Sequence, residues 1–379
     1  MKVKLMVGAL LVSHLSLFAQ QSQPGNLEKT SQSNTGEHQT LLELVLPELG
    51  TNKEPQKVKN SSFNAFLDSR YENYTKVKGS ETTDSRFRLQ QSRVYVKANY
   101  QDKFSFSMRY RLNESVASNA LEFAYLEYNP NEHWTLSIGK QFIAWGSMEF
   151  SYNGSDQYMY TNMLGSMDLF APGASIAYKT SGQSFKLQGI SAGTQYVDLK
   201  YKDKAYGGLF LWEGNLFNNH LQTRYGYGLM QHNSNRYYNW VTLGNRVSVD
   251  KWMMELDWMY GYRNVKDAQL DLIQHKENTT YVKDNTTTMT LRYKFNKVSP
   301  FVKAMYNYRD DLDANIAYAQ KGIMGAIEYY PFEEKLFKDL RLFAVYSYID
   351  YDYKKVQQKP KDNDEHQLYI GVRWMIPLF

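Results

Sequence analysis

The chain has 379 residues, no cysteine, 32 tyrosines, 15% aromatic and 22% charged residues, and a formal charge of +5. Lack of cysteine excludes disulfide scaffolds, thiolate metal sites and cysteine nucleophiles, and a negative mean hydropathy without repeated runs of ~20 apolar residues excludes a bundle of membrane-spanning helices. The aromatic load argues against disorder, and the small, scattered basic excess offers no footprint for nucleic acid.

Residues 1–19 have the layout of an export leader. Lys2 and Lys4 form a basic start, Leu5 to Phe18 is mostly apolar, and Ala19 supplies a small residue for cleavage. Residues 20–60 are expected to be a flexible periplasmic linker. Gln21 to Gln39 is rich in Gln, Ser, Asn, Thr and Gly, and a short apolar segment, Thr40 to Leu49, interrupts it before Pro47 limits any helix. No cofactor is signalled anywhere in the chain.

From residue 61 to 379 the pattern changes to period two. In Lys103 to Asn113 (KFSFSMRYRLN), Phe104, Phe106, Met108, Tyr110 and Leu112 are apolar, while Lys103, Ser105, Ser107, Arg109, Arg111 and Asn113 are polar. A strand sends successive side chains to opposite faces, so this segment has one apolar face and one wet, basic face. Trp252 to Arg263, Thr286 to Asn296 and the stretch from Pro300 to Arg309 repeat it. Strands are expected at about 62–74, 87–100, 103–113, 120–129, 133–144, 168–180, 183–191, 205–214, 219–231, 236–249, 251–263, 286–296, 299–309, 317–330, 340–352 and 365–379.

The connections choose between a soluble sandwich and a transmembrane barrel. One set is mostly tight, as at Gln101-Asp102, Ser181-Gly182, Asp250 and Lys297-Val298. The alternate set is mostly long and polar: 75–86, 145–167, 192–204, 264–285 and 353–364. Short turns at one rim and long loops at the other are the mark of an outer-membrane barrel, and an even strand count puts both ends at the short-turn rim. The fold expected is therefore all-β, a transmembrane antiparallel barrel of about sixteen strands, whose closure satisfies the backbone while lipid solvates its apolar face. Strand-end aromatics such as Tyr71, Tyr74, Trp134, Tyr260, Tyr306, Tyr329 and Tyr346 should form interfacial girdles. Met108 and Leu291 should face lipid; Ser107 and Thr290 should face the lumen and accept lysine.

The function that follows is passive diffusion of small solutes through a water-filled lumen. Inward polar parity nominates Arg93, Lys97, Arg109, Arg111, Lys186, Arg292, Lys294, Lys303 and Arg309 as pore-lining groups, against Glu122, Glu255 and Asp257. The excess of cations predicts a bias toward anionic solutes, phosphate among them.

Leu136 to Phe150 (LSIGKQFIAWGSMEF) has Gly139, Lys140, Gly146 and Glu149 in the places of a strand-ending Gly-basic-x-x-x-Pro-x-Gly-x-Glu turn, with Trp145 departing from the pattern. The segment resembles the phosphate-selective porin O and P family. The resemblance implies a sixteen-stranded outer-membrane channel, assembled as a homotrimer, and a loop 145–167 that either folds into the lumen or caps the outside.

The alternative is an outer-membrane barrel enzyme, such as a lipid hydrolase, or an adhesin or scaffold barrel. Gly189-Ile190-Ser191-Ala192-Gly193 matches G-x-S-x-G, but no helical period follows, as a nucleophile elbow requires. The histidines show no metal-ligand spacing. Conductance of the purified protein separates the readings.

Overall fold

The computed structural model describes residues 61–113, 120–191, 205–231, 237–266, 279–313, 315–334, 336–355 and 363–378. The expected leader and linker, 1–60, lie outside these residues. Sixteen strands follow: β1 (Ser62–Lys78), β2 (Glu81–Tyr100), β3 (Phe104–Arg111), β4 (Leu121–Tyr128), β5 (Trp134–Phe142), β6 (Phe170–Thr180), β7 (Gln183–Ser191) and β8 (Tyr206–Leu216). The second half has β9 (Leu221–Gln231), β10 (Tyr237–Val249), β11 (Trp252–Lys266), β12 (Thr279–Tyr293), β13 (Val298–Asp311), β14 (Ile316–Tyr329), β15 (Arg341–Tyr353) and β16 (Asp364–Pro377). Each pairs antiparallel with its chain neighbours, and β1 pairs with β16, closing the barrel without a crossover.

The faces are inverted relative to a soluble protein. On β11, Trp252, Met254, Leu256 and Trp258 are exposed, while Glu255, Asp257 and Arg263 are buried. On β12, Met289 and Leu291 are exposed, while Thr286, Thr288 and Thr290 are buried. Apolar side chains on the outside and charged ones on the inside are stable only with lipid around the barrel. Tyr71, Trp134, Tyr306, Tyr329 and Tyr346 stand on the outer face as expected. Tyr74 does not: it is buried, with Arg88 3.9 Å above its ring. Ser107 and Thr290 face inward but are only 2% and 9% exposed, so the wall there is too crowded to accept lysine freely.

One expected loop is largely strand, and a second is strand at both ends. β1 and β2 remain paired to Lys78 and Glu81 and turn at Gly79-Ser80, where a long loop over 75–86 is predicted. β11 reaches Lys266 and β12 begins at Thr279. Beyond the bilayer both faces of a hairpin meet water, so the hydropathy alternation fades while the backbone ladder continues. The expected loop over 145–167 is real, and it determines the interior. It contains two short 3-10 turns, Glu149–Ser151 and Gly154–Asp156, and helix α1 (Asn162–Ser166).

Candidate functional site

The connection from β5 to β6, residues 143–169, folds into the lumen. Its root lies on the wall of β9 to β11. The Gly146 N–H donates to Thr242 Oγ1 at 2.8 Å and the Ser147 N–H to the Arg224 carbonyl at 2.9 Å. The Met148 N–H donates to Asp257 Oδ1 at 2.6 Å. Two adjacent residues then reach opposite walls. The Tyr152 hydroxyl donates to Glu255 Oε1 on β11 at 2.6 Å, and Asn153 Oδ1 accepts from Arg109 Nη1 on β3 at 2.9 Å. β3 and β11 are eight strands apart in a closed ring of sixteen, so the loop crosses the lumen here. It next meets β1, where Arg70 Nη1 donates to the Gln157 carbonyl at 2.7 Å and the Ser155 hydroxyl donates to Asp68 at 2.7 Å. It returns past β14, with Tyr158 donating to Glu328 at 3.0 Å, and past β13, with Lys303 donating to the Met159 carbonyl at 2.9 Å.

Apolar packing holds the two flanks of the loop. Trp145, Phe150, Met163 and Leu164 pack against Leu209, Leu211, Met230, Trp240 and Met259 on one side, with Trp145 and Trp240 rings 4.2 Å apart. Tyr158 and Met159 pack against Phe301, Met305, Met324, Phe343 and Val345 on the other. Each large side chain so buried contributes about 1.5–3 kcal/mol. The lumen is therefore partly a packed core at this level.

The segment Leu136 to Phe150 is the device that inserts the loop. Gly139 has φ +130°, and a Cβ there would lie 2.5 Å from the Ala124 carbonyl oxygen. A Cβ on Gly146 would lie 2.3 Å from the Gly226 nitrogen. Gly226 is the point where the loop backbone lies against the wall. Gly226→Ala is expected to cost about 1–3 kcal/mol by overpacking and to raise single-channel conductance as the root lifts. Gly208→Ala, with nothing within 4 Å of its Cβ position, should leave both unchanged; equal behaviour of the two variants would refute the contact.

Glu149 carries a buried anchor. It accepts from Lys303 Nζ at 2.7 Å and from the Thr161 hydroxyl at 2.7 Å, and Thr161 caps α1. Farther along the loop, burial raises the Asp156 carboxyl, but the guanidinium charges of Arg341 and Arg373 outweigh that and hold it below the usual carboxylate range.

Three of the predicted cations converge. Arg93, Arg109 and Arg111 surround one carboxylate, Glu122, at 2.8, 2.5 and 2.6 Å. Arg109 also lies 4.9, 5.2 and 5.4 Å from the ring centroids of Phe123, Phe142 and Phe170. Others are drawn into separate pairs. Lys303 is taken up by Glu149, Arg309 by Asp284 at 2.7 Å and Arg292 by Glu328 at 2.5 Å. Lys97 and Lys186 are half-buried on the inward faces of β2 and β7 and make no ion pair among the described residues. Lys294 stands apart: β12 ends at Tyr293, and Lys294 is exposed in the following turn, because the alternation runs past the last ladder bond. Of the three acids, Glu122, Glu255 and Asp257 are all inward and buried.

Several lumen groups escape sequence reasoning. Arg70 and Glu72 lie within the expected strand 62–74 and Arg88 within 87–100, yet none is nominated as pore-lining; the even-numbered run Asp68, Arg70, Glu72, Tyr74 is the signal that could have found the first two. Arg246, Arg263, Arg341 and Arg373 also face inward and are paired. In most of these pairs the acid is the deeper partner. Glu122 is 2% exposed against 26% for Arg111, Glu72 0% against 28% for Arg88, and Glu255 4% against 22% for Arg246. The pairs Arg224–Glu213, Arg341–Asp156 and Arg373–Asp68 run the other way.

Residues 64–206 match the model of the phosphate-selective porin O and P family. No curated protein matches the sequence. Among solved structures, the barrel is similar to an anion-selective porin from Comamonas acidovorans, with TM-score 0.58 and 13% identity over 84% of this chain and 100% of that one. It is similar to the outer membrane channel DcaP of Acinetobacter baumannii, with TM-score 0.59 and 12% identity over 83% and 97%. A trimer form of the outer membrane protein OmpT of Vibrio cholerae gives TM-score 0.57 and 14% identity over 83% and 99%.

Proposed function

We propose that this protein is a bacterial outer-membrane porin, a passive channel for small solutes with a bias toward anions. The family match over 64–206 and the closed barrel with an inverted surface support the channel. One observation carries the anion bias: the guanidinium groups of Arg111, Arg88 and Arg246 are the exposed members of inward-facing pairs whose carboxylates are buried. A nearly neutral wall thus presents cations to a passing solute, and Arg suits phosphate or carboxylate through two parallel N–H donors. Screening over ~8 Å at physiological salt keeps the bias modest in wide parts of the lumen and strongest where the loop narrows it.

The rest of the reading follows from this placement. Residues 1–19 direct export, 20–60 link the barrel in the periplasm, and 61–379 span the outer membrane in contact with its lipid. The trimer form of the Vibrio cholerae protein supports a homotrimer here, to be checked by the detergent-corrected mass in solution.

Reversal potentials in asymmetric KCl test the bias. The wild type should prefer chloride. Arg109→Ala/Arg111→Ala leaves Glu122 with Arg93 alone and should move the potential toward cation preference, whereas Glu122→Gln should move it the other way. Cation preference in the wild type, or no shift in the double variant, would leave a general diffusion pore without an arginine step. A purified protein that fails to conduct would end the channel reading altogether.

A further inference from the structure

One connection at the short-turn rim departs from its neighbours. Gln101 to Lys103 join β2 to β3, Ser181-Gly182 join β6 to β7 and Asp250-Lys251 join β10 to β11, whereas β14 and β15 are joined by Tyr330 to Leu340. This longer connection lies against Trp374, on the outward face of β16 with Leu368 and Ile370. The Phe337 and Trp374 ring centroids are 5.2 Å apart and stacked, and those of Phe332 and Phe337 are 5.3 Å apart. The Trp374 indole N–H donates to the Leu336 carbonyl at 3.1 Å. The result is an aromatic shelf on which Phe332 and Leu336 are each 44% exposed. Acyl chains do not cover it: Glu333, Glu334 and Asp339 are exposed on the same connection, and carboxylates on irregular backbone stay out of hydrocarbon. The shelf therefore stands at the water side of the membrane with apolar surface uncovered.

The chain upstream of the barrel enters beside this shelf. β16 pairs with β1, and Trp374 lies opposite Ser69. The chain joins the barrel at Ser61, eight positions before Ser69 and so about 26 Å along β1. The linker 20–60 carries one apolar patch, Leu41–Leu49. From Leu49 to Ser61 a flexible chain spans about 20 Å on average and about 40 Å at most, so the patch reaches the shelf without strain. We propose, on the basis of the linker reading above, that Leu41–Leu49 docks on the Phe332–Leu336–Trp374 shelf of its own barrel and straps the linker to the periplasmic rim. Two apolar surfaces that lack acyl cover leave water together, and the tether keeps them at an effective concentration in the millimolar range, which a second copy of the chain has to outcompete. Because Trp374 faces outward, the strap lies outside the lumen.

The chain has no cysteine, so pairs of introduced cysteines report the contact without background. The test uses the full exported chain, whose intact mass first shows that Leu41–Leu49 is retained; its removal on export would end the linker reading and the inference with it. Disulfide formation under mild oxidation is then compared for Glu43→Cys/Lys338→Cys, on the shelf, and Glu43→Cys/Lys103→Cys. Lys103 is exposed in the β2–β3 turn, where the Gln101 N–H donates to the Ser61 hydroxyl at 3.4 Å, so it lies close to the tether point. An undirected linker would reach Lys103→Cys at least as fast as Lys338→Cys. Docking should reverse that order, with the shelf pair about tenfold faster, the scale of burying one leucine side chain. Adding Leu42→Ser/Leu46→Ser, outside the barrel, should abolish the advantage and leave the Lys103 pair unchanged. Equal rates for the two pairs, a shelf pair indifferent to the serines, or a disulfide formed mainly between two chains would each overturn the strap while leaving the retained linker in place.

Discussion

Met289→Arg is expected to destabilise the folded barrel by about 2–4 kcal/mol, the cost of a guanidinium at the lipid face near the bilayer midplane. Met289 is exposed on β12 between Leu256 of β11 and Ala304 of β13, in the band that only acyl chains can solvate. Snorkelling lowers the cost toward the rims, so the effect depends on depth. The control is Ser184→Arg, which faces inward on β7 opposite Glu213 and gains a carboxylate partner. Denaturant unfolding in lipid vesicles should separate the two variants clearly. Equal loss at both positions would mean that the faces are assigned wrongly.

Lys303→Met should cost about 3–5 kcal/mol, because it leaves the buried Glu149 carboxylate without its cation. Glu149 is 3% exposed and its remaining side-chain partner is Thr161, so the charge has no route to water without moving the loop. Loop displacement should appear as a larger and noisier single-channel conductance. Glu149→Gln/Lys303→Met should recover most of the stability, since it removes the stranded charge along with its partner. A double variant no more stable than the single one, with unchanged conductance in both, would show that this pair does not hold the loop.

Acids on the wall and, for Lys303, on the crossing loop take up most of the predicted cations. Arg309 and Lys303 read from sequence as pore-lining groups of an open lumen. In the structure Lys303 spends its charge on Glu149, a loop residue 154 positions away, and Arg309 sits against Asp284 and the Asn162 carbonyl. Charged groups that become crowded inside a low-dielectric interior must find partners, and neighbouring strands supply most of them, the loop the one for Lys303.

The strands themselves, their number, order of faces and lipid orientation were determined by the sequence. Period-two alternation is a local property, and each segment such as Phe104–Arg111 carries its own pattern. The parity of connection lengths is equally local, which is why the barrel could be told from a sandwich. Where a hairpin leaves the bilayer, as in the upper parts of β1 and β2, local polarity no longer marks the strand and only backbone pairing extends it. What the tertiary structure alone decided is the interior. Whether residues 143–169 enter the lumen depends on Gly146 meeting Gly226, Trp145 meeting Trp240 and Glu149 meeting Lys303, contacts separated by about 80 to 154 positions. No periodicity encodes such a meeting: it is set by strand tilt and closure, which bring distant walls to one level. The same closure converts a list of inward arginines into one cluster around Glu122 and several neutral pairs.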